Sequence, residues 1–449
     1  MKIFESESLK TGLRVVLLTL FSALMAYLWV KQYYFFTLIL ILLTVLACIN
    51  WPFFSVWLIS WFAIVQPGLF DETLNSFVPF LLFSAATLLS WFLGFTNRKL
   101  KECAWNAQTL FIFVMVFAET IGTYHLSWFQ YTIEVFMLWI RIFLVYFLVA
   151  SLVQTNRQIR LIMWATGFAV VFIALYALNI YFICPEEMVD GRLAAYGMYD
   201  NPNDLALIMV VIWPILFKLF EIEKSPWVAV IIILMMLVIT LTLVLTVSRG
   251  GLMGLAAVGM LCLWTFSKLS KRQRILIVAC SLMLFVVAAP VILSQRGEES
   301  GFDAEDESAS DRIDAWRAGG RILLAYPIGI GFNTFTDFVG SFGGPNNLMA
   351  HNTPVKVAAE SGFIGLFCYL GTLFLTLKKL IFYEQTKEIK SQPITLALMQ
   401  GLRIAIIGFM VNTTFSVKEH EWMLYIVLGL AVAMINKAEN ELKLAKNVS

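Results

Sequence analysis

Long apolar stretches alternate with short polar segments along almost the whole chain. The stretches have roughly the 20 residues that a helix needs to cross about 30 Å of hydrocarbon, and the one at residues 228–247 carries only uncharged side chains. Because a helix satisfies its own backbone hydrogen bonds in lipid, the pattern predicts an all-α polytopic membrane protein with about 12–14 spans. The predicted spans lie near residues 12–30, 33–49, 52–69, 77–95, 107–125, 130–153, 159–182, 203–219, 226–247, 250–267, 275–293, 359–379, 394–413 and 421–436.

Lysine and arginine residues are concentrated in alternate short loops between the predicted spans. Cytoplasmic loops of membrane proteins carry such an excess of positive side chains. These loops and both chain ends are therefore predicted to face the cytoplasm, and the intervening loops to face the periplasm, in a multi-pass protein of the cell inner membrane. The residues that fix this orientation are Arg98, Lys99, Lys101, Arg157, Arg160, Lys268, Lys271, Arg272, Arg274, Lys378, Lys379, Lys387 and Lys390.

Residues 294–358 form the one long connection, and they lie on the predicted periplasmic side. Their acidic opening is typical of a solvated stretch. The segment after Ser308 begins with polar residues that can cap a helix, and its apolar pattern ends before Pro327. This predicts a short amphipathic helix at the membrane surface. The apolar positions in it are Ile313, Trp316, Ile322 and Leu323. The chain is thereby divided into N-terminal spans, spans with outer-face motifs, the periplasmic loop and C-terminal spans, at residues 1–183, 184–293, 294–358 and 359–449.

The composition agrees with a chain built for lipid. Of the 449 residues 60% are hydrophobic and 14% are charged, whereas about a quarter of the residues in a soluble protein are charged. We expect membrane lipid, and no nucleic acid, among its partners. Six cysteines are scattered without the spacing of a metal site, so we expect neither a disulfide, nor a bound metal, nor a cofactor.

Several cationic or titratable side chains lie on the predicted outer side, against the usual charge bias. They include Arg249, Arg312 and His351, and all three histidines of the chain are at outer span ends or in outer loops. One explanation is that boundary arginines reach for lipid headgroups. The other is a functional site on the outer face.

Three motifs favour a functional site. The segment TVSRGGLMGL at residues 246–255 places Arg249 beside two glycines that either let a phosphate approach the backbone or form a tight helical turn. The other two are DRIDAWRAGGRILLAYPIGIGFNTF at 311–335 and AHNTPVKVAAESGFIGLF at 350–367. With YDNPNDLALI at 199–208 they resemble, in order and spacing, the signature region of the O-antigen ligase and polymerase superfamily over about residues 190–370.

The resemblance implies a glycosyltransferase that moves a glycan from a polyprenyl pyrophosphate carrier to an acceptor on the periplasmic face, without metal or nucleotide. The family's two essential arginines and its histidine would fall on Arg249, Arg312 and His351. Arginine binds phosphate oxygens through two parallel hydrogen bonds and stabilises the departing pyrophosphate. A neutral histidine titrates in the range of a general base for the acceptor hydroxyl. Direct displacement would invert the anomeric configuration.

Further residues are candidate contacts to the glycan or carrier. Asn201 either contacts the glycan or carrier, or serves as a helix cap that is followed by proline at the first helical position. Arg141 lies near the middle of a span, where a charged side chain is costly and usually has a function. It either lines a groove for the carrier or the sugars, or forms a buried structural pair with Glu119 or Glu134. The candidate contacts are Asn201, Asn203, Arg192, Arg141, Trp316, Asn352, Glu360 and Glu419.

Other functions stay open at this point. Many spans with a few intramembrane charges are also found in transporters and flippases, which place their site near the midplane on broken helices; a structural scaffold is a third possibility. Within the transferases the acceptor distinguishes a ligase that uses lipid A-core, an O-antigen or exopolysaccharide polymerase, and a protein O-oligosaccharyltransferase. The superfamily motifs are shared among these three.

Overall fold

A computed structural model describes residues 34–66, 77–93, 104–126, 129–189, 191–266, 269–270, 272–276 and 309–448. The described part is helical, with one isolated β-bridge between Val189 and Arg192. The helices are α1 Tyr34–Asn50, α2 Pro52–Val65, α3 Phe77–Phe92, α4 Ala107–Leu126, α5 Phe129–Leu152, α6 Asn156–Ile183, α7 Pro202–Ile222, α8 Pro226–Leu245, α9 Arg249–Thr265, α10 Ala309–Ala325, α11 Phe335–Val339, α12 Thr353–Glu384, α13 Lys387–Lys390, α14 Pro393–Thr413 and α15 Trp422–Val448.

Eight of the described helices are long and apolar enough to cross a membrane. They are α4 to α8, α12, α14 and α15, and α1, α2, α3 and α9 are shorter apolar helices. The prediction of an all-α polytopic membrane protein is confirmed. The helix bounds agree with the predicted spans to within a few residues in most cases. The span predicted at 12–30, and the span predicted at 275–293 apart from its first two residues, lie outside the described residues.

Polar caps start the helices that matter for the site. The Asn201 side chain accepts a hydrogen bond from the Asn203 backbone N–H at 2.8 Å, and proline follows at the first position of α7. Ser248 Oγ accepts from the Gly251 N–H at 3.2 Å and starts α9. Each cap satisfies a backbone donor that the first helical turn leaves without a partner. The capping interpretation of Asn201 is therefore confirmed.

Helix α7 is the central helix, packed against α8, α9 and α14. Glycines allow these helices to approach one another closely. A Cβ on Gly254 of α9 would lie 3.0 Å from Val210 of α7, and one on Gly408 of α14 would lie 2.4 Å from Val258 of α9. Association of helices in lipid depends on such small-residue contacts. The N-terminal end of α7 is thereby held against α9 and α14, where the site lies.

Helix α12 is broken at Gly362, whose φ is +68°. The gap is filled by the segment 327–331: Ile330 N–H donates to Ala359 O, and Phe363 N–H donates to Pro327 O, each at 3.0 Å. A Cβ on Gly362 would lie 2.2 Å from Pro327 O, so only glycine fits this crossing. The long loop is consequently joined into the bundle through backbone hydrogen bonds.

Helix α10 and the short helix α11 build a second, smaller core outside the bundle. Ala315, Ala318 and Ile322 of α10 are buried against Phe335 and Val339. The helix predicted after Ser308 is present as Ala309–Ala325, although Ile313, expected on its apolar face, is 44% exposed. Ile322, also expected on the apolar face, is buried together with the small residues Ala315 and Ala318. The position of α10 at the membrane surface stays a prediction.

Candidate active site

All four sequence motifs meet at one end of the helical bundle. Helices α7, α9, α12 and α15 begin at this end, and α8 and α14 finish there. The packing of α7 with α14, of α9 with α14 and of α12 with α14 brings these termini together. The site can therefore be built from the turns and caps at this end.

The arginine motif forms the turn between α8 and α9. Val247 has a φ of +48°, a left-handed conformation that is rare for a β-branched residue. Arg192 Nε donates to Thr246 O at 3.0 Å and helps to hold the turn. Arg249 follows as the first residue of α9, and its side chain is exposed. The turn therefore presents a permanent positive charge at the bundle end.

Asn203 fixes this turn from the upstream motif. Its Oδ1 accepts hydrogen bonds from Arg192 Nη2 at 3.0 Å and from Ser248 Oγ at 2.8 Å. The motifs at residues 199–208 and 246–255 are thus in direct contact, although Asn203 and Ser248 are 45 residues apart in the chain. Within the structure Arg192 and Asn203 position Arg249, and contact of either with a glycan stays a prediction.

The two glycines after Arg249 serve packing rather than an open face for phosphate. A Cβ on Gly251 would lie 2.6 Å from the Ala206 side chain, and one on Gly250 would lie 3.3 Å from Phe415 Cβ. Both backbones are therefore covered by neighbouring helices. Of the two interpretations in the sequence, the tight helical packing is the one that this geometry supports.

His351 lies in the turn before α12, with a half-buried side chain and a φ of +42°. Hydrogen bonds on both sides hold this left-handed backbone. Trp316 Nε1 donates to Ala350 O at 2.8 Å, and Asn352 caps α12 by accepting from Val355 N–H at 3.1 Å. Strained backbone of this kind is typical of functional positions.

Two of the three candidate catalytic residues, Arg249 and His351, are linked to the same turn through their neighbours. Gly250, next to Arg249, packs on Phe415 at the end of α14. Asn352, next to His351, donates from Nδ2 to Thr414 O at 3.3 Å. Arginine and histidine therefore flank the same turn, residues 412–415.

Arg312 belongs to the same region through helix α10. It precedes Trp316 by four residues, so the two side chains lie on one face of the helix. Since Trp316 holds Ala350, Arg312 lies on the face of α10 that approaches the histidine turn. Arg312 is half-buried there.

A buried lysine that the sequence analysis missed lies beneath the histidine turn. Lys356 Nζ is 2.8 Å from Glu419 Oε1 and 3.4 Å from Glu360 Oε2, and it lies over the Phe332 ring. Glu360 also accepts two backbone N–H groups of the long loop, those of Asn333 at 2.9 Å and Phe335 at 3.0 Å. Glu360 and Glu419 are thus buried partners of a lysine, as intramembrane charges usually are.

The sequence did contain a signal for this cluster. Lys356 and Glu360 are four residues apart at the start of an apolar helix, a spacing that places opposite charges side by side. The partner Glu419 is 63 residues away from Lys356, and no local pattern connects them. Ala350, Met349 and Val417 line a small cleft together with Lys356 and Glu360.

The loop between α14 and α15 carries a second buried ion pair. Lys418 Nζ is 2.9 Å from Asp204 Oδ2, and the Lys418 N–H donates to Thr353 Oγ1 at 3.0 Å. Burial opposes the charge of Lys418, but Asp204 and Glu421 outweigh it and raise the lysine pKa. The sequence did not predict this pair, because Asp204 and Lys418 lie far apart in the chain and no local pattern connects them.

Burial and neighbouring charges shift the other titratable groups of this loop. Burial raises the pKa of Glu421 to about 7, with Lys418 opposing the shift. Burial also disfavours the Glu419 carboxylate, but Lys356 and His420 hold its pKa well below the ordinary range. For His420 burial lowers the pKa, although Glu419 lies 3.2 Å from its Nδ1.

Arg141 lies on α5, away from these motifs in the sequence. Its Nε donates to Met137 O in the same helix at 2.6 Å. The choice between a structural pair and a groove for the carrier stays open.

Comparison with known proteins points to one family. A family model described as O-antigen ligase matches residues 233–370, a region that includes Arg249, Arg312 and His351. No curated protein matches the chain. The matched region begins in α8 and ends in α12, and it contains three of the four motifs identified in the sequence. The chain is therefore a multi-pass membrane protein that is similar to the O-antigen ligase family over residues 233–370.

Proposed function

We propose that this protein is an O-antigen ligase-like glycosyltransferase of the inner membrane. It transfers a glycan from a polyprenyl pyrophosphate carrier to an acceptor hydroxyl at the periplasmic face. The observation that carries the proposal is that exposed Arg249 and half-buried His351 flank one turn, residues 412–415, within the region that matches the family.

The proposed reaction requires a group that stabilises the negative charge on the departing pyrophosphate. The acceptor oxygen attacks the anomeric carbon, the bond from that carbon to the pyrophosphate oxygen breaks, and the bonding electrons leave with the pyrophosphate. Arg249 and Arg312 offer two permanent charges with the planar geometry that phosphate oxygens accept. They perform the role that a divalent metal performs in other phosphate sites, so the proposed reaction is metal-independent.

The acceptor hydroxyl must lose its proton as it attacks. His351, held at the cap of α12 by Asn352 and by the Trp316 contact to Ala350, is the general base in this proposal. A general base contributes about 10²–10⁴-fold to such a step. Because one displacement occurs at the anomeric carbon, the configuration of the sugar is inverted.

Complementation of a gene deletion tests this function. The deletion strain should accumulate carrier-linked glycan, and the wild-type gene should remove it. Arg249→Ala, Arg312→Ala and His351→Ala should each fail to complement while the protein still accumulates in the membrane, since loss of one anion-stabilising group costs about 10²–10³-fold. Arg317→Ala is the matched control, because Arg317 is an exposed arginine of the same helix that pairs with Asp314 at 3.0 Å.

The same strain identifies the acceptor. We propose a ligase acting on lipid A-core, so the lipopolysaccharide of the deletion strain should stop at the core while long glycans remain on the carrier. A polymerase would leave at most one repeat unit on the core. Unchanged lipopolysaccharide with missing exopolysaccharide or glycoprotein would identify a different acceptor. Full complementation by all three alanine variants would contradict the transferase proposal.

A further inference from the structure

The loop between α14 and α15 contacts both halves of the candidate site. On one side, Lys418 Nζ binds Asp204 Oδ2 at 2.9 Å and Met198 O at 3.3 Å. Asp204 is next to Asn203, which holds Ser248 and hence the turn of Arg249. Lys418 is therefore connected to the turn that carries Arg249 through Asp204 and the neighbouring Asn203.

On the other side, the same loop holds the start of α12. The Lys418 N–H donates to Thr353 Oγ1 at 3.0 Å, and Thr353 Oγ1 donates to Ser416 O at 2.9 Å. Thr353 follows His351 by two residues. The next residue of the loop, Glu419, binds Lys356 at 2.8 Å, one helical turn further along α12.

We infer that Lys418 and Glu419 form a brace that sets the position of Arg249 relative to His351. Two consecutive side chains reach opposite halves of the site, Lys418 to α7 and Glu419 to α12. In the proposed function both are positioning residues, since neither is assigned a contact with the reacting atoms.

Burial makes the brace stiff. The side chains of Lys356, Glu419 and Glu360 are at most 5% exposed, and those of Lys418 and Asp204 are 13% exposed. Pairs in this environment are screened little by water and salt, and breaking one leaves a buried charge without compensation. The Lys356 end is fixed further, because Glu360 binds two backbone groups of the long loop.

The rate of the proposed reaction depends on the distance between the general base and the arginines. An acceptor oxygen has to meet the base while the pyrophosphate meets the arginines, and a misplacement of about 1 Å between such groups costs about 100-fold in rate. If the brace fixes this spacing, its removal should lower kcat and leave the KM for the carrier-linked donor nearly unchanged. A pair that serves only folding would lower the thermal stability and leave kcat unchanged.

A neutral replacement of both Lys418 and Asp204 tests the inference without leaving either partner as an unpaired charge. The double variant Asp204→Asn/Lys418→Met should lower kcat about 100-fold, with the donor KM changed by less than about threefold. The matched control is Glu384→Gln/Arg403→Met, which removes a buried pair of 2.8 Å at the opposite end of the bundle. An unchanged kcat in the first double variant, or an equal loss in the control, would overturn the brace.

A second measurement needs no substrate and separates this inference from the proposed function, on which its kinetic arm rests. Spin labels at Met253→Cys on α9 and Met349→Cys beside His351, both exposed positions, report the spacing in a variant without the six native cysteines. The distance distribution should broaden in Asp204→Asn/Lys418→Met and stay narrow in the control pair. Identical distributions in all three proteins would reject the brace, whereas a wild-type protein without transferase activity would reject the function alone.

Discussion

Glu421 is a fully buried carboxyl group that faces Lys418, Asp204 and Tyr199 at the start of α15. Burial raises its pKa from 4.5 to about 7, although Lys418 opposes the shift. A folded-state pKa above the unfolded value means that the folded protein binds this proton more tightly. The stability that Glu421 contributes is therefore complete below about pH 4.5 and is lost as the pH rises through about 7.

This linkage predicts a pH-dependent stability at the single-residue level. Thermal unfolding in detergent should show the wild-type protein losing stability between pH 5 and pH 8, by an amount on the order of 3 kcal/mol for this group. Glu421→Gln should flatten the decline, because glutamine stays neutral throughout. Exposed Glu388→Gln serves as the control and should keep the wild-type slope. Parallel slopes for wild type and Glu421→Gln would show that the buried carboxyl does not titrate in this range.

Individual residues differ in how far the sequence predicts them. Asn201 was predictable as a cap because its partner is two residues away and proline follows. Asn203 was not, because its partners Arg192 and Ser248 are brought to it by folding. Arg249 and His351 were named from motifs, and their roles in transfer stay predictions.

Among the elements, the broken helix α12 requires glycine at the position of its break. Gly362 has a φ of +68°, and an added Cβ would lie 2.2 Å from Pro327 O. Gly320, in the middle of α10, has no heavy atom within 4 Å of an added Cβ. The two glycines therefore form a pair of tests that separate strain from the ordinary effect of glycine in a helix.

Alanine at these two positions should have opposite effects. Gly362→Ala should destabilise the protein by at least about 1–3 kcal/mol, the usual strain of a left-handed residue. Gly320→Ala should stabilise it by about 0.4–1 kcal/mol, because alanine restricts the unfolded chain without steric cost. The melting temperatures of both variants in detergent check this, and equal stability of the two variants would contradict the described break.

Element boundaries were largely predictable, but the break was not. Apolar length and caps are local signals, so α7 was expected at 203–219 and is found at Pro202–Ile222. The break in α12 depends on hydrogen bonds from residues 327–331, about 30 positions upstream. The glycines Gly329, Gly331 and Gly362 were visible in the motifs, yet their pairing is long-range.

At the scale of the whole molecule, the break bears on the transporter alternative. Secondary transporters use unwound backbone carbonyls to coordinate an ion. In this protein the carbonyls of Pro327, Ala359 and Glu360 accept hydrogen bonds from the chain's own N–H groups. The break is thus filled by the long loop, which favours a structural use of the broken helix over an ion site.

The orientation of the molecule is a further prediction. Met349 is exposed at the end with the motifs, and Ser391 is exposed at the opposite end, next to the basic residues Lys387 and Lys390. A cysteine at Met349 should react with a membrane-impermeant maleimide in intact spheroplasts, and a cysteine at Ser391 only after permeabilisation. The reverse pattern would place the site in the cytoplasm and reject the proposed reaction there.

Transfer by the purified protein in liposomes tests the proposed reaction most directly. With carrier-linked glycan and a lipid-linked acceptor supplied on the side of Arg249, we expect one polyprenyl pyrophosphate to be released for each glycan joined to the acceptor. The reaction should continue in EDTA without ATP, and Arg249→Lys should be slowed by about 10²-fold because lysine lacks the planar fork. Movement of intact carrier-linked glycan across the bilayer, with no pyrophosphate released, would contradict the transferase function and identify a transporter.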